Sequence, residues 1–148
     1  ARFQNCYGPE GTWDGGREKA PAAICRKVIQ ADDGGEIEVW GDGSAIRAYT
    51  YVDDLVDGIY LLMQSDMRKP VTIGSTEFVT VNQLAETAIK ISRKQINVKH
   101  IDGPVGVQAR ILDKTRIHSM GWQAKVSFSD GLKQTYDWIE KQVEKSRQ

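Results

Sequence analysis

Segments that alternate every second residue take turns along this chain with segments whose apolar residues recur every three or four, and neither kind is long. Glu36 to Trp40 reads Glu, Ile, Glu, Val, Trp, the pattern of a half-exposed strand. Leu132, Tyr136, Ile139 and Val143 fall at helical spacing and give one apolar face. A chain patterned this way must pack helices on short strands, so it is limited to a mixed α/β or α+β fold.

The same reading predicts strands over 2–7, 47–52, 71–73 and 96–101 and helices over 17–31, 53–65, 80–94, 113–120 and 129–145. Pro21 sits in a first helical turn, where its missing N–H costs little. Asp53 and Ser129 are expected N-caps, and Thr80-x-x-Gln83 is a capping box. Leu55, Ile59, Leu62 and Met63 are the expected apolar side of the second helix. The strands are too short and separated for a complete doubly wound sheet, so one substrate-binding domain over 1–148 is expected.

Several kinds of chemistry are excluded by what the sequence lacks. No Gly-x-Gly-x-x-Gly follows a strand, so the phosphate-cradling turn of a dinucleotide site is missing and no cofactor is expected on this chain alone. None of the five tyrosines has a lysine four residues on. Cys6 and Cys25 match no zinc spacing and read as reduced thiols of a cytoplasmic protein. His100 and His118 stand alone on different segments, so no metal site is expected. Twenty basic side chains balance twenty acidic ones, which gives no reason to expect nucleic acid as a partner. No apolar run approaches the ~20 residues of a membrane span.

What remains is a set of loop cations. Arg17 and Lys19 flank Glu18 at a helix start, where cations oppose the helix dipole unless an anion binds there. Arg47 follows a glycine turn, and Arg110 lies three residues before Asp113. Such cations from distant segments can converge on a diphosphate, which arginine holds bidentately; ordinary solvated charges are the alternative.

Four motifs, in order, carry a resemblance. They are Arg2-Phe3-Gln4-Asn5-Cys6-Tyr7-Gly8-Pro9, then Trp40-Gly41-Asp42-Gly43 with Arg47-Ala48-Tyr49-Thr50-Tyr51-Val52-Asp53-Asp54, then Val71-Thr72-Ile73-Gly74-Ser75, and finally Arg110 with Asp113 before Gly121-Trp122. The chain thereby resembles the C-terminal part of the extended short-chain dehydrogenase/reductase family, the NAD-dependent epimerases and dehydratases of nucleotide sugars. Gly15-Gly16-Arg17-Glu18-Lys19-Ala20-Pro21, Cys25-Arg26-Lys27 and Ile101-Asp102-Gly103-Pro104 are most similar to its GDP-mannose 3,5-epimerase branch.

The resemblance implies a fold lacking the main dinucleotide-binding sheet, a GDP-mannose-like nucleotide sugar as ligand, and NAD held by an N-terminal half. It implies that Asn5 binds the diphosphate or sugar, and that Glu18 and Lys19 lie at the hexose. Lys19 is then the acid returning a proton to an enolised carbon. Lys27, Arg47 and Arg110 hold the nucleotide and diphosphate, Asp113 orients Arg110, and Arg17 supports the site. The partner base in such enzymes is a cysteine of the N-terminal half, and neither Cys6 nor Cys25 stands in its place. Ala45 and Ile46 depart from the family's usual Gln and Thr, which removes polar contacts to the nucleotide. A stand-alone nucleotide-sugar binding module and a non-catalytic remnant or interaction domain stay open as alternatives. A sheet cut at Arg2–Tyr7 leaves a strand edge that favours pairing with a second copy, a homodimer.

Overall fold

The computed structural model describes residues 1–104 and 106–147. In chain order it runs β1 (Arg2–Phe3), β2 (Cys6–Tyr7), α1 (Ala20–Gln30), β3 (Glu36–Trp40), β4 (Ile46–Ala48), β5 (Thr50–Tyr51) and α2 (Val52–Met63). It continues with β6 (Thr72–Ile73), β7 (Phe78–Thr80), α3 (Val81–Ser92), β8 (Asn97–Ile101), α4 (Thr115–Ser119) and α5 (Phe128–Ser146). The strands form four two-stranded sheets. β1–β6, β2–β5 and β3–β8 are parallel, and β4–β7 is antiparallel.

The strand expected over 2–7 is split. At Gln4-Asn5 the chain changes partner, from β6 to β5: the Gln4 N–H donates to the Ile73 carbonyl at 3.2 Å, and the Asn5 carbonyl accepts from the Thr50 N–H at 3.0 Å. Asn5 turns at φ 37°, a left-handed conformation that asparagine tolerates better than most residues, and its Nδ2 donates to the Ala48 carbonyl at 3.0 Å. β3 has the bounds that its alternation predicted, with Ile37 and Val39 buried and Glu36, Glu38 and Trp40 exposed. The strand expected over 47–52 ends earlier, because α2 begins at Val52.

The helix starts test the capping arguments. The Thr80–Gln83 box forms as expected, with the Thr80 side chain accepting from the Gln83 N–H and the Gln83 side chain accepting from the Thr80 N–H. Asp53 is not a cap; it lies exposed in the first turn of α2, where its charge suits the dipole. Its neighbour Asp54 is buried instead and accepts from the Lys125 and Val126 N–H groups at 3.0 and 2.9 Å. Ser127, not Ser129, caps α5, and Glu77 accepts from the Phe128 N–H at 2.7 Å. β7 had no alternation of its own to announce it, since it is three residues long and runs straight into the α3 cap. Met63 ends α2 exposed rather than on its buried side.

Three helices make the main core. Ile24 and Val28 of α1, Leu84 and Ala88 of α3, and Leu132, Tyr136, Ile139 and Val143 of α5 pack with Ile37 and Val39 of β3. A smaller core joins Leu55 of α2 to Val71, Ile73, Ile117 and Trp122. Lys94 locks α1 to α3: its Nζ donates to the carbonyls of Val28, Ile29 and Ala31 at 3.2, 2.9 and 2.7 Å. A cation there satisfies carbonyls that the end of α1 leaves open.

Gly131 lets α5 approach the strands closely. A Cβ at this position would collide with the Tyr7 hydroxyl and lie 2.8 Å from Tyr51 Cδ2. Helix propensity alone would make Gly131→Ala stabilising by about 1 kcal/mol. The collision involves ring atoms held in a packed cluster, so overpacking outweighs it, at about 1–3 kcal/mol. Gly131→Ala is therefore expected to lower the midpoint of urea unfolding, and a raised midpoint would show that α5 is not closely seated.

Candidate functional site

The loop after β2 and the first turn of α1 lie between two clefts. The larger, about 530 Å³, is lined by Glu18, Lys27, Trp40, Arg47, Tyr49 and Pro104 among others. The smaller, about 230 Å³, is lined by residues that include Cys6, Tyr7, Thr12, Arg17, Lys19 and Val52. Lys19 is the N-cap of α1 and is extended, at φ −77° and ψ 159°. Neighbouring side chains on extended backbone point to opposite sides. Glu18 and Lys19 accordingly serve different clefts although they are consecutive.

In the larger cleft the charges are anchored. Lys27 Nζ donates to the Glu38 carbonyl at 2.7 Å. Arg47 Nη1 donates to the carbonyls of Ile46 and Gln108 at 2.8 and 3.3 Å, which holds Gln108 against β4. Tyr49 is buried, and burial pushes its hydroxyl up to about 12, so it keeps its proton at neutral pH and remains a donor. Trp40 presents a half-exposed ring at the rim, with Gly103 packed against it.

Glu18 is the most constrained member of this set. Its side chain is only 7% exposed, and its Oε1 lies 2.7 Å from Arg26 Nη2. Its Oε2 is buried with no partner among the described residues. A hydrogen bond from its own backbone N–H, then the Arg26 guanidinium, hold the carboxyl below the ordinary range against the opposing pull of desolvation. A buried carboxylate oxygen without a donor is costly, and here the Arg26 pair on the other oxygen offsets that cost.

In the smaller cleft the side chains of Lys19 and Arg17 are exposed and have no hydrogen bond or ion pair among the described residues. No acidic side chain occupies the first turn of α1, and no side chain caps it. Two cations at a bare helix start favour an anionic ligand. Burial raises the thiols of Cys6, in this cleft, and of Cys25, in the core, the latter to about 12; both are free.

Not every cation expected to converge on one anion does so. Lys27 and Arg47 share the larger cleft, Arg17 and Lys19 share the smaller one, and Arg110 lines neither. What the structure engages at Arg110 is its carbonyl, which accepts from Gln4 Nε2 at 3.2 Å. Asp113 makes no hydrogen bond or ion pair with Arg110 among the described residues. Its Oδ1 accepts from the Thr115 N–H and hydroxyl at 2.9 and 2.6 Å and closes the turn into α4. Asn5 uses its amide on the backbone of Ala48 and lines neither cleft. Sequence reasoning missed Arg26, Trp40 and Tyr49. Trp40 alone carried a signal, as a large ring on the exposed phase of an alternating strand.

A family model described as GDP-mannose 4,6 dehydratase matches residues 1–135. The chain is 46% identical over 147 residues to GDP-mannose 3,5-epimerase 1 of Oryza sativa subsp. indica, which covers 99% of this chain and 38% of that protein. Among solved structures it is similar to the UDP-glucose 4-epimerase of Thermotoga maritima with UDP-glucose, at a TM-score of 0.86 and 31% identity, over 96% of this chain and 45% of that one. The UDP-glucuronic acid 4-epimerase of Bacillus cereus, in complex with UDP-glucuronic acid and NAD, shares the fold at a TM-score of 0.81 and 23% identity, over 96% and 44%. This chain thus spans less than half the length of each of these relatives. It belongs to the GDP-mannose 4,6 dehydratase family, within the NAD-dependent epimerases and dehydratases.

The depressed Glu18 carboxyl fixes a sign. A carboxyl with a lowered folded pKa lends stability that is present above its unfolded pKa and lost as pH falls through the folded value. Glu18 carboxyl carbon shifts followed by NMR are expected to titrate below those of a free glutamate. Glu18→Gln should remove that part of the acid-side loss of stability. A midpoint at or above the free value would overturn this account of the pair with Arg26.

Proposed function

We propose that this chain is the C-terminal, nucleotide-sugar-binding portion of an NAD-dependent sugar-nucleotide epimerase acting on GDP-mannose or a close analogue. The observation that carries this reading is the placement of Glu18 and Lys19, adjacent in sequence but lining two clefts on either side of the start of α1. The larger cleft suits a nucleotide diphosphate: Lys27 and Arg47 for its charge, the Trp40 ring for stacking, the Tyr49 hydroxyl as a donor. Glu18 borders this cleft and adds a carboxylate to its wall. The smaller cleft takes the reacting end of the sugar, with Lys19 as proton donor to a carbon beside a carbonyl and Arg17 in support. Asn5 and Arg110, outside both clefts, enter as contacts made when the rest of the enzyme closes over the site. The 46% identity to a GDP-mannose 3,5-epimerase supports the choice of ligand.

The residues present do not fit the NAD itself. Gly8 and Gly74, which follow parallel strands, are packed against Val52 and Gln4, and Gly41-Asp42-Gly43 leads into β4 rather than a helix. The redox step belongs, on this reading, to an N-terminal half on other residues. β1 pairs with β6 and carries an exposed Phe3, a sheet edge suited to that half or to a second copy.

Calorimetric titration of the chain is expected to give tighter binding of GDP-mannose than of UDP-glucose. Arg47→Ala should weaken it about tenfold, or ~1.4 kcal/mol, with the melting temperature held. No heat with either sugar nucleotide would overturn the reading. In the enzyme complete with its NAD-binding half, Lys19→Ala should cut epimerisation by roughly a hundredfold or more while substrate still binds. Unchanged turnover would remove Lys19 as the acid.

A further inference from the structure

Arg26 has no place in the reading above, yet it is the most heavily engaged cation beside the site. It projects from α1, and three of its nitrogens take acceptors at once. Nε donates to the Trp13 carbonyl at 3.2 Å and lies 3.4 Å from Asp14 Oδ1. Nη2 meets Glu18 Oε1 at 2.7 Å, and Nη1 donates to Gln30 Oε1 at 3.3 Å. One guanidinium thus gathers both ends of the 13–18 loop onto the helix that follows it.

The loop needs such an external hold. Gly15 and Gly16 adopt φ of 90° and 81°, and nothing lies within 4 Å of the position a Cβ would occupy at either. Side-chain packing therefore does not fix these two residues, and glycine gives the backbone many alternatives to that conformation. Within the loop the Gly15 N–H bonds to its neighbour Asp14 at 2.8 Å, and the Gly16 backbone contributes weakly to holding the Glu18 carboxylate. The segment carries Arg17 and Glu18 and delivers Lys19 to the smaller cleft. A lysine at 26 offers a point charge without the planar fork, and it cannot span Trp13, Asp14 and Glu18 together.

We propose that Arg26 is a positioning residue that acts through Glu18 and the Trp13 carbonyl. It selects one conformation of the glycine loop, and so sets Glu18 at the wall of the larger cleft and Lys19 at the smaller one. Misplacement by an ångström at a reacting group is enough to cost catalysis heavily, so the latch matters to function out of proportion to its share of stability. The functional consequence rests on the nucleotide-sugar reading, whereas the latch itself does not.

The test compares Arg26→Lys and Arg26→Ala with the unaltered chain by three measurements. Amide hydrogen exchange over 13–19 should quicken about tenfold or more in both variants, with exchange in α3 and α5 nearly unchanged. The ¹³C-methylated Lys19 resonance should shift and sharpen. GDP-mannose affinity should fall severalfold in Arg26→Ala and be partly restored by methylguanidine at concentrations far below denaturing. Unchanged exchange and an unchanged Lys19 signal would overturn the latch. So would a uniform rise in exchange with a lowered melting temperature, since that is ordinary destabilisation. If the unaltered chain binds no GDP-mannose, the ligand reading fails, while the exchange and Lys19 measurements still decide the latch.

Discussion

The edge-on contact between Tyr7 and Tyr49 is the joint around which the site is arranged. Their ring centres are 6.1 Å apart at 75°, and Tyr7 meets Tyr51 in the same manner at 5.8 Å. Phe128 closes the cluster from the first turn of α5, stacked on Tyr49 at 5.8 Å. The Tyr7 hydroxyl donates to the Phe128 carbonyl at 3.2 Å, so the buried ring does not leave its polar end unpaired. Tyr7 forms part of the smaller cleft and Tyr49 part of the larger. The wall between the clefts is therefore core, and their separation is as rigid as the packing of β2, β5 and α5.

Against that wall, the start of α1 is held by polar contacts rather than packing. Lys94 fixes the far end of α1 through three carbonyls, and Arg26 fixes the near end to the loop that precedes it. The helix is tied at both ends by cations from its neighbours and itself, and its buried face, Pro21, Ile24, Cys25 and Val28, sets its rotation. That rotation places Lys27 in the larger cleft. The extended backbone at Lys19 then divides two consecutive side chains between two compartments.

Local pattern and long-range pattern were legible to different degrees. The alternation of 36–40 and the apolar spacing of α5 named their elements and their buried residues, because burial there follows the period of one segment. The Thr80–Gln83 box was equally readable, since both of its bonds close within four residues. The split at Asn5, the burial of Asp54 and the capping of α5 by Ser127 were not. The first two depend on partners far along the chain, Asn5 on Ala48 and Asp54 on Lys125 and Val126. Ser127 caps through Asp130, a bond as local as those of the Thr80–Gln83 box, and was missed because Ser129 offers the same hydroxyl two residues on.

The sequence by itself determined the family, the mixed fold and the residue types available for binding: loop cations beside a glycine-rich helix start and no dinucleotide turn. Only the tertiary structure decided which of those charges work together. It joined Lys27 to Arg47, parted Lys19 from Glu18, left Arg110 outside and brought in Arg26, Trp40 and Tyr49. The physical reason is that a side chain's type and its local direction are written in its own few residues. Its company is set by where separate helices and strands come to rest once their apolar faces have packed.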